Sequence, residues 1–127
     1  MIISIDSREQ APLSIKAGGD IESVTVSKLP FGDYGCKLSS SDPFIKVFFE
    51  RKSKPDLWRT LTSNIDRFKH ELERARESQV MLYLAIEGTM TDIYAGFEHS
   101  SIFGSQIIRT IFTFKMKYGL EPVFCAS

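Results

Sequence analysis

Cysteine is almost missing from this chain. Its 127 residues hold two, Cys36 and Cys125, far apart and in no paired motif. That excludes a disulfide framework and fits buried thiols in a reducing intracellular compartment. Net charge is missing too, since 16 Lys and Arg balance 16 Asp and Glu. The strongly basic balance that usually marks nucleic-acid binding is therefore absent overall. No apolar run approaches the roughly 20 residues that cross a bilayer, and Met1 to Asp6 is too short and acidic for a secretory leader. The expected setting is intracellular, without a membrane: cytoplasmic in a prokaryote or virus, nuclear in a eukaryote. His70 and His99 have no Cys or His at metal-ligand spacing and read as solvated surface residues. The G-x-S-x-G, Walker and dinucleotide-binding patterns are absent, as are internal repeats.

What is present suffices for one domain, residues 1–127, with a real core: apolar residues make up 43% of the chain. Ile2 to Ile5 reads as a short buried strand, Asp6 to Gly19 as a loop, and Ile21 to Leu29 as a second strand. From Asp56 the period becomes helical. Leu57, Trp58, Leu61, Ile65, Phe68, Leu72 and Ala75 fall within an arc of about 100°, after the start signals Ser53 and Pro55. One helix, or two broken near Ser63-Asn64, fits that stripe equally. Val80 to Gly88 is a nearly continuous apolar run, as in a central strand covered on both faces. Thr91 to Ala95 suggests a short helix, Phe103 to Tyr118 a long one, and Val123-Phe124 a last strand. Strand pairs followed by alternating helices and strands imply an α/β fold, a mixed β-sheet flanked by α-helices.

The stretch most in need of explanation is Phe48-Phe49-Glu50-Arg51-Lys52-Ser53-Lys54-Pro55-Asp56. On a strand, residues two apart share a face, so Glu50 and Lys52 point to the same side. Upstream, Gly32-Asp33 precedes a strand-like run that ends in the loop signal Ser39-Ser40-Ser41-Asp42-Pro43. An antiparallel hairpin pairing Leu38 with Ile45 sets Asp33 opposite Glu50, with Cβ atoms about 4.5–5.5 Å apart. Two carboxylates so close repel unless a cation lies between them, and oxygen ligands suit Mg²⁺ or Mn²⁺. A solvated strand end with an ordinary Glu-Lys pair gives the same pattern. Around it, Arg51 to Arg76 holds eight Lys and Arg against four Asp and Glu, a local basic flank in which Lys54, Arg59, Arg67 and Arg74 are candidate DNA contacts.

Gly32-Asp33, a variable hairpin, then Glu50-Arg51-Lys52 and Asp56 resembles the G-D-x(n)-E-R-K-x-x-x-D signature of the XPF-type structure-specific endonucleases. Asp6-Ser7-Arg8-Glu9 is similar to that family's D-x-R-E element. Asn64, Arg67-Phe68, Glu71 and Arg74 are similar to its helix after the motif. The likeness runs from Ile2 to Val123. It implies a restriction-endonuclease-like fold, a break in the helical stretch, and a nuclease domain alone, without a helicase part or a helix-hairpin-helix module. The activity it implies is divalent-metal-dependent hydrolysis of a DNA phosphodiester, with flap, fork or junction substrates. In this reading Asp33 and Glu50 ligate the metal and Lys52 orients the attacking water or stabilises charge on the phosphate. The resemblance adds Glu9 to the metal site and Arg8, Arg51 and Asp56 to the catalytic group. Two rivals are a non-catalytic DNA-binding subunit of a nuclease heterodimer and a Holliday-junction resolvase or restriction-type nuclease of the wider E-x-K group.

Assembly is the last expectation. On a helical wheel, Phe103, Ile107, Ile111, Phe114 and Tyr118 form one arc that the sheet can bury. Ile108, Phe112 and Met116 form a second apolar stripe, the kind of patch that marks an interface. The rival reading lets the Gly88 to Gly96 segment cover it. The family dimerises, so the resemblance adds a homodimer, or a heterodimer with a homologous nuclease domain.

Overall fold

A computed structural model describes residues 1–126. Ten elements follow one another: β1 (Ile2–Asp6), β2 (Ser23–Ser27), β3 (Tyr34–Lys37), β4 (Val47–Lys52), α1 (Lys54–Leu61), α2 (Ile65–Glu77), β5 (Met81–Glu87), α3 (Met90–Tyr94), α4 (Gly104–Tyr118) and β6 (Glu121–Cys125). The strands make one mixed sheet in the order β2-β1-β3-β4-β5-β6. Its β1–β3 and β3–β4 contacts are antiparallel, and the other three are parallel.

The helical stripe is split into two helices. Ser53 caps α1 by accepting the Asp56 N–H, and Pro55 sits in the first turn, where its missing N–H costs nothing. The helix stops at Leu61 and restarts at Ile65, yet Leu57, Trp58, Leu61, Phe68, Leu72 and Ala75 all reach one core. From the sheet that core receives Phe48, Leu82, Leu84 and Ile86. On β5 only these alternate residues are buried, while Met81 is 46% exposed. The expectation that β5 is covered on both faces is therefore corrected. The helices cover one face. The other, the open face, has loop residues Leu13 and Ile15 lying near Ile3, Tyr34, Cys36, Phe49 and Ala85 around a groove of about 360 Å³.

The hairpin keeps the expected register, with Tyr34 paired to Phe49, but its ladder is shorter. The strands end at Lys37 and resume at Val47, so Leu38 and Ile45 are not paired. Instead the Ile45 N–H bonds the Cys36 carbonyl. The thiols also depart from expectation: Cys36 is half-buried and Cys125 exposed.

Helix α4 buries Ile107, Ile111 and Phe114. Phe103 does not join them. It is the N-cap, outside the helical repeat, and lies 72% exposed. The second stripe is graded: Ile108 packs partly against the core, Phe112 is 38% exposed and Met116 87%. Gly104 allows α3 to touch the start of α4, since a Cβ there would stand 2.1 Å from the Ile93 carbonyl oxygen. Gly104→Ala must separate the two helices, and such overpacking costs about 1–3 kcal/mol. A melting temperature unchanged from wild type would refute that close approach.

Candidate active site

Three carboxylates lie in one row across the helix-covered face. The β1–β3 register continues past Ile5 and Tyr34 to set Asp6 beside Asp33, and the Asp6 N–H donates to the Asp33 carbonyl at 2.8 Å. The β3–β4 register sets Asp33 beside Glu50, with the Asp33 N–H on the Phe49 carbonyl at 2.8 Å. Gly32 makes this entry possible. Its φ is +64°, and a Cβ would lie 2.8 Å from the Phe49 carbonyl oxygen, so a side chain there would force β3 away from β4.

The members of the row differ in chemistry. Asp6 is fully committed: its carboxylate accepts from Arg8 Nε and Nη2 and from the Leu29 N–H. Burial works against its charge, but these donors hold its pKa below the ordinary value. Asp33 accepts one bond, from the Arg51 N–H to Oδ2 at 2.8 Å. Burial and then the Glu50 charge push its pKa up to about 6. Glu50 is pushed up to about 7, first by burial and then by the Glu71 carboxylate that α2 brings over the strand. Lys52 opposes both shifts. Its Nζ is 3.2 Å from Glu50 Oε1, on the same face as the i, i+2 spacing dictates. Glu71 is raised as well, chiefly by burial, with Lys52 and Arg74 opposing. Asp33, Glu50 and Glu71 thus each feel a neighbouring carboxylate that disfavours their charge, and a bound cation would relieve that repulsion.

Beside the row opens a cleft of about 760 Å³. Four carboxylates (Asp6, Asp33, Glu50, Glu71) and four cations (Arg8, Lys28, Arg67, Arg74) line it, with His70. Arg74 is held in place by a bond to the Pro30 carbonyl and by stacking 4.7 Å over the Phe31 ring.

Of the residues singled out in the sequence, the fold gathers Asp33, Glu50, Lys52, Arg8, Arg67 and Arg74. Glu9 is half-buried and close enough for Asp33 to feel its charge. Four others stand apart. The Arg51 side chain points to the open face, because position 51 alternates with 50 and 52, and only its N–H serves Asp33. Asp56 is occupied in the first turn of α1, bonded to Ser53 Oγ and Arg59. Lys54 donates to the Asp92 carbonyl and lies 5.9 Å from the Trp58 ring, away from the cleft. Arg59 pairs with Asp56, largely exposed. The sequence reading did not place Lys28, Glu71 or His70 at the site. Glu71 and His70 share the helix face of Arg67 and Arg74 at i+4 and i+3 spacing, a signal that points to both, and the likeness to the family's helix after the motif already singles out Glu71.

Apart from His70, the metal-ligating side chains that line the cleft are all carboxylates, as suits Mg²⁺ and Mn²⁺. Among the described residues no three His, Cys, Asp or Glu form a ready metal cage. Mg²⁺ does not need one, since it is commonly held by one or two carboxylates together with waters and substrate phosphate oxygens. Asp33 and Glu50 fit that role.

The family comparison identifies an ERCC4 domain. The chain belongs to that family, whose model matches residues 5–127. Among solved structures it is similar to XPF from Aeropyrum pernix, with 18% identity and a TM-score of 0.65 over 97% of this chain and 55% of that one. It is also similar to XPF from Aeropyrum pernix in complex with DNA, with 19% identity and a TM-score of 0.63 over 96% and 55%. The chain thus spans just over half the length of those proteins, and what the likeness establishes is their fold. No curated protein matches the sequence. No helix among the described residues is long and apolar enough to cross a membrane.

Proposed function

We propose that the chain is the nuclease part of a DNA endonuclease that hydrolyses a phosphodiester in branched DNA with Mg²⁺ or Mn²⁺. The observation that carries the reading is the partly buried pair Asp33 and Glu50, with Lys52 Nζ 3.2 Å from Glu50, beside a cleft rimmed by four cations. Arg8, Lys28, Arg67 and Arg74 bind and orient the phosphodiester backbone. Asp33 and Glu50 hold the cation, which when bound lowers the pKa of water and neutralises phosphate charge. Lys52 presents a compact positive charge to the oxygen that becomes more negative as water attacks phosphorus. The P–O bond to one sugar breaks, leaving a phosphate monoester and a hydroxyl. The ERCC4 family membership and the DNA complex of the Aeropyrum XPF support DNA as the substrate. The test is a panel of flap, fork, junction and linear duplex DNAs of one sequence, incubated with Mg²⁺, Mn²⁺ or EDTA. Cleavage of the branched members with either metal, and none in EDTA, is expected. Equal cutting of linear duplex would overturn the branched preference.

A binding-only subunit, which the four cations lining the cleft would serve as well, is the second reading. It predicts DNA binding with no cut in any metal.

The exposed end of the α4 stripe supports pairing with a second nuclease domain through Ile108, Phe112 and Met116. In Phe112→Glu, sedimentation at micromolar concentration is expected to show a monomer where wild type is a dimer. A monomeric wild type removes this interface.

A further inference from the structure

On the open face, directly behind the acidic row, a second polar cluster carries no part of the proposed reaction. Arg51 Nε donates to Glu87 Oε1 at 2.6 Å, and its Nη2 pairs with the same oxygen. Its Nη1 donates to the Ala11 carbonyl. The Tyr34 hydroxyl, from the same groove as Arg51, accepts the Leu13 N–H at 2.9 Å. Tyr34 is only 7% exposed, so its end of this tie is shielded from water while Leu13 remains at the surface.

What the cluster holds is the loop after β1. At its near end the loop is fixed by Asp6, which binds Arg8 and the Leu29 N–H, and by the Glu9 N–H on the Asp6 carbonyl at 3.0 Å. At residues 11 and 13 it is fixed again, from the opposite side of the sheet, by Arg51 and Tyr34. Glu9 lies between the two anchors, where its charge reaches Asp33. A short loop pinned at both ends has little freedom, and groups that orient metal-binding side chains commonly matter 10–100-fold to metal affinity.

We propose that Arg51, aimed by Glu87, is a positioning residue that together with Tyr34 clamps residues 11–13 from the open face and so limits where Glu9 stands relative to Asp33. The inference rests on the metal-site reading above and deepens it. It gives the central residue of Glu50-Arg51-Lys52 a function on the face opposite its neighbours, and it brings in Glu87, which lies outside every motif.

The experiment is Mn²⁺ titration of the whole chain, followed by electron paramagnetic resonance, in a double-mutant cycle of Arg51→Met with Glu9→Gln. Arg51→Met is expected to weaken Mn²⁺ binding about 10-fold in the wild-type background and to add nothing in the Glu9→Gln background. Independent effects that multiply would overturn the proposal. Tyr34→Phe, which deletes one hydroxyl without a cavity, is the second variant should Arg51→Met fold poorly. It is expected to weaken Mn²⁺ binding in the same direction and to speed amide exchange over residues 9–15, and unchanged exchange would count against the clamp. DNA affinity in EDTA is expected to stay at the wild-type value. A fall there with Mn²⁺ affinity intact would make Arg51 a phosphate contact and remove the proposal. Asp33→Asn separates the two levels: if it leaves Mn²⁺ binding unchanged, the metal-site reading fails and the clamp's role falls with it.

Discussion

Glu50→Gln protein is expected to lose metal-dependent DNA cleavage altogether and yet to melt higher than wild type in metal-free buffer at pH 8. Both results follow from one carboxylate held where its charge is unwelcome. Burial, and then Glu71, raise the Glu50 pKa from an ordinary 4.5 to about 7. The folded chain therefore binds this proton more tightly than the unfolded chain does. The stability that this confers is complete below pH 4.5 and is lost as pH rises to about 7. Asp33, raised to about 6, adds to the same trend. Gln keeps the shape without the charge, so the variant gains most above pH 7 and little at pH 4.5. With the size of such shifts, an increase of about 3 °C or more is expected at pH 8 in EDTA. A variant that cuts DNA at the wild-type rate, or that melts lower at pH 8, would contradict this account.

Lys52→Ala is expected to slow single-turnover cleavage by about 10²–10³ while leaving DNA affinity close to wild type. The Lys52 side chain is only 21% exposed and its Nζ is committed to Glu50, so it has little surface to offer an intact duplex. In the proposed reaction what it offers is a positive charge to the phosphate under attack. Lys52→Arg is expected to recover only part of the rate, because a planar fork replaces a compact ammonium. Lost affinity with an unchanged chemical step would reduce Lys52 to a phosphate contact.

Much of this site is legible in the sequence because strand parity is rigid. Counting along the hairpin sets Asp33 against Glu50, and the structure has that register even though its ladder stops before Leu38 and Ile45. Parity also places Arg51 on the opposite face from Glu50 and Lys52, but the family motif drew all three into one site, and there geometry prevails over motif. Charge density was a weaker guide. Lys54 and Arg59 sit in the same basic stretch as Arg67 and Arg74, yet α1 carries the first two away from the cleft and α2 turns the last two into it. The break at residues 62–64 makes that difference, and the apolar stripe runs through it unaltered. Glu71 is marked in the sequence only by its helix face and the family likeness, because its effect depends on α2 bringing it to Glu50. The β5 run looked doubly covered because Tyr83 and Ala85 are apolar as well. They face the open side, where Phe49 stacks on Tyr83 at 5.0 Å in place of a helix.

Mn²⁺ binding at pH 7.5, read by electron paramagnetic resonance on wild type, Asp33→Asn and Glu50→Gln without DNA, tests the central claim most directly. The account predicts saturable binding by wild type and its loss in both variants, each of which stays folded. Equal binding by all three proteins would contradict it, because the cation would then be held somewhere other than the row formed by β3 and β4.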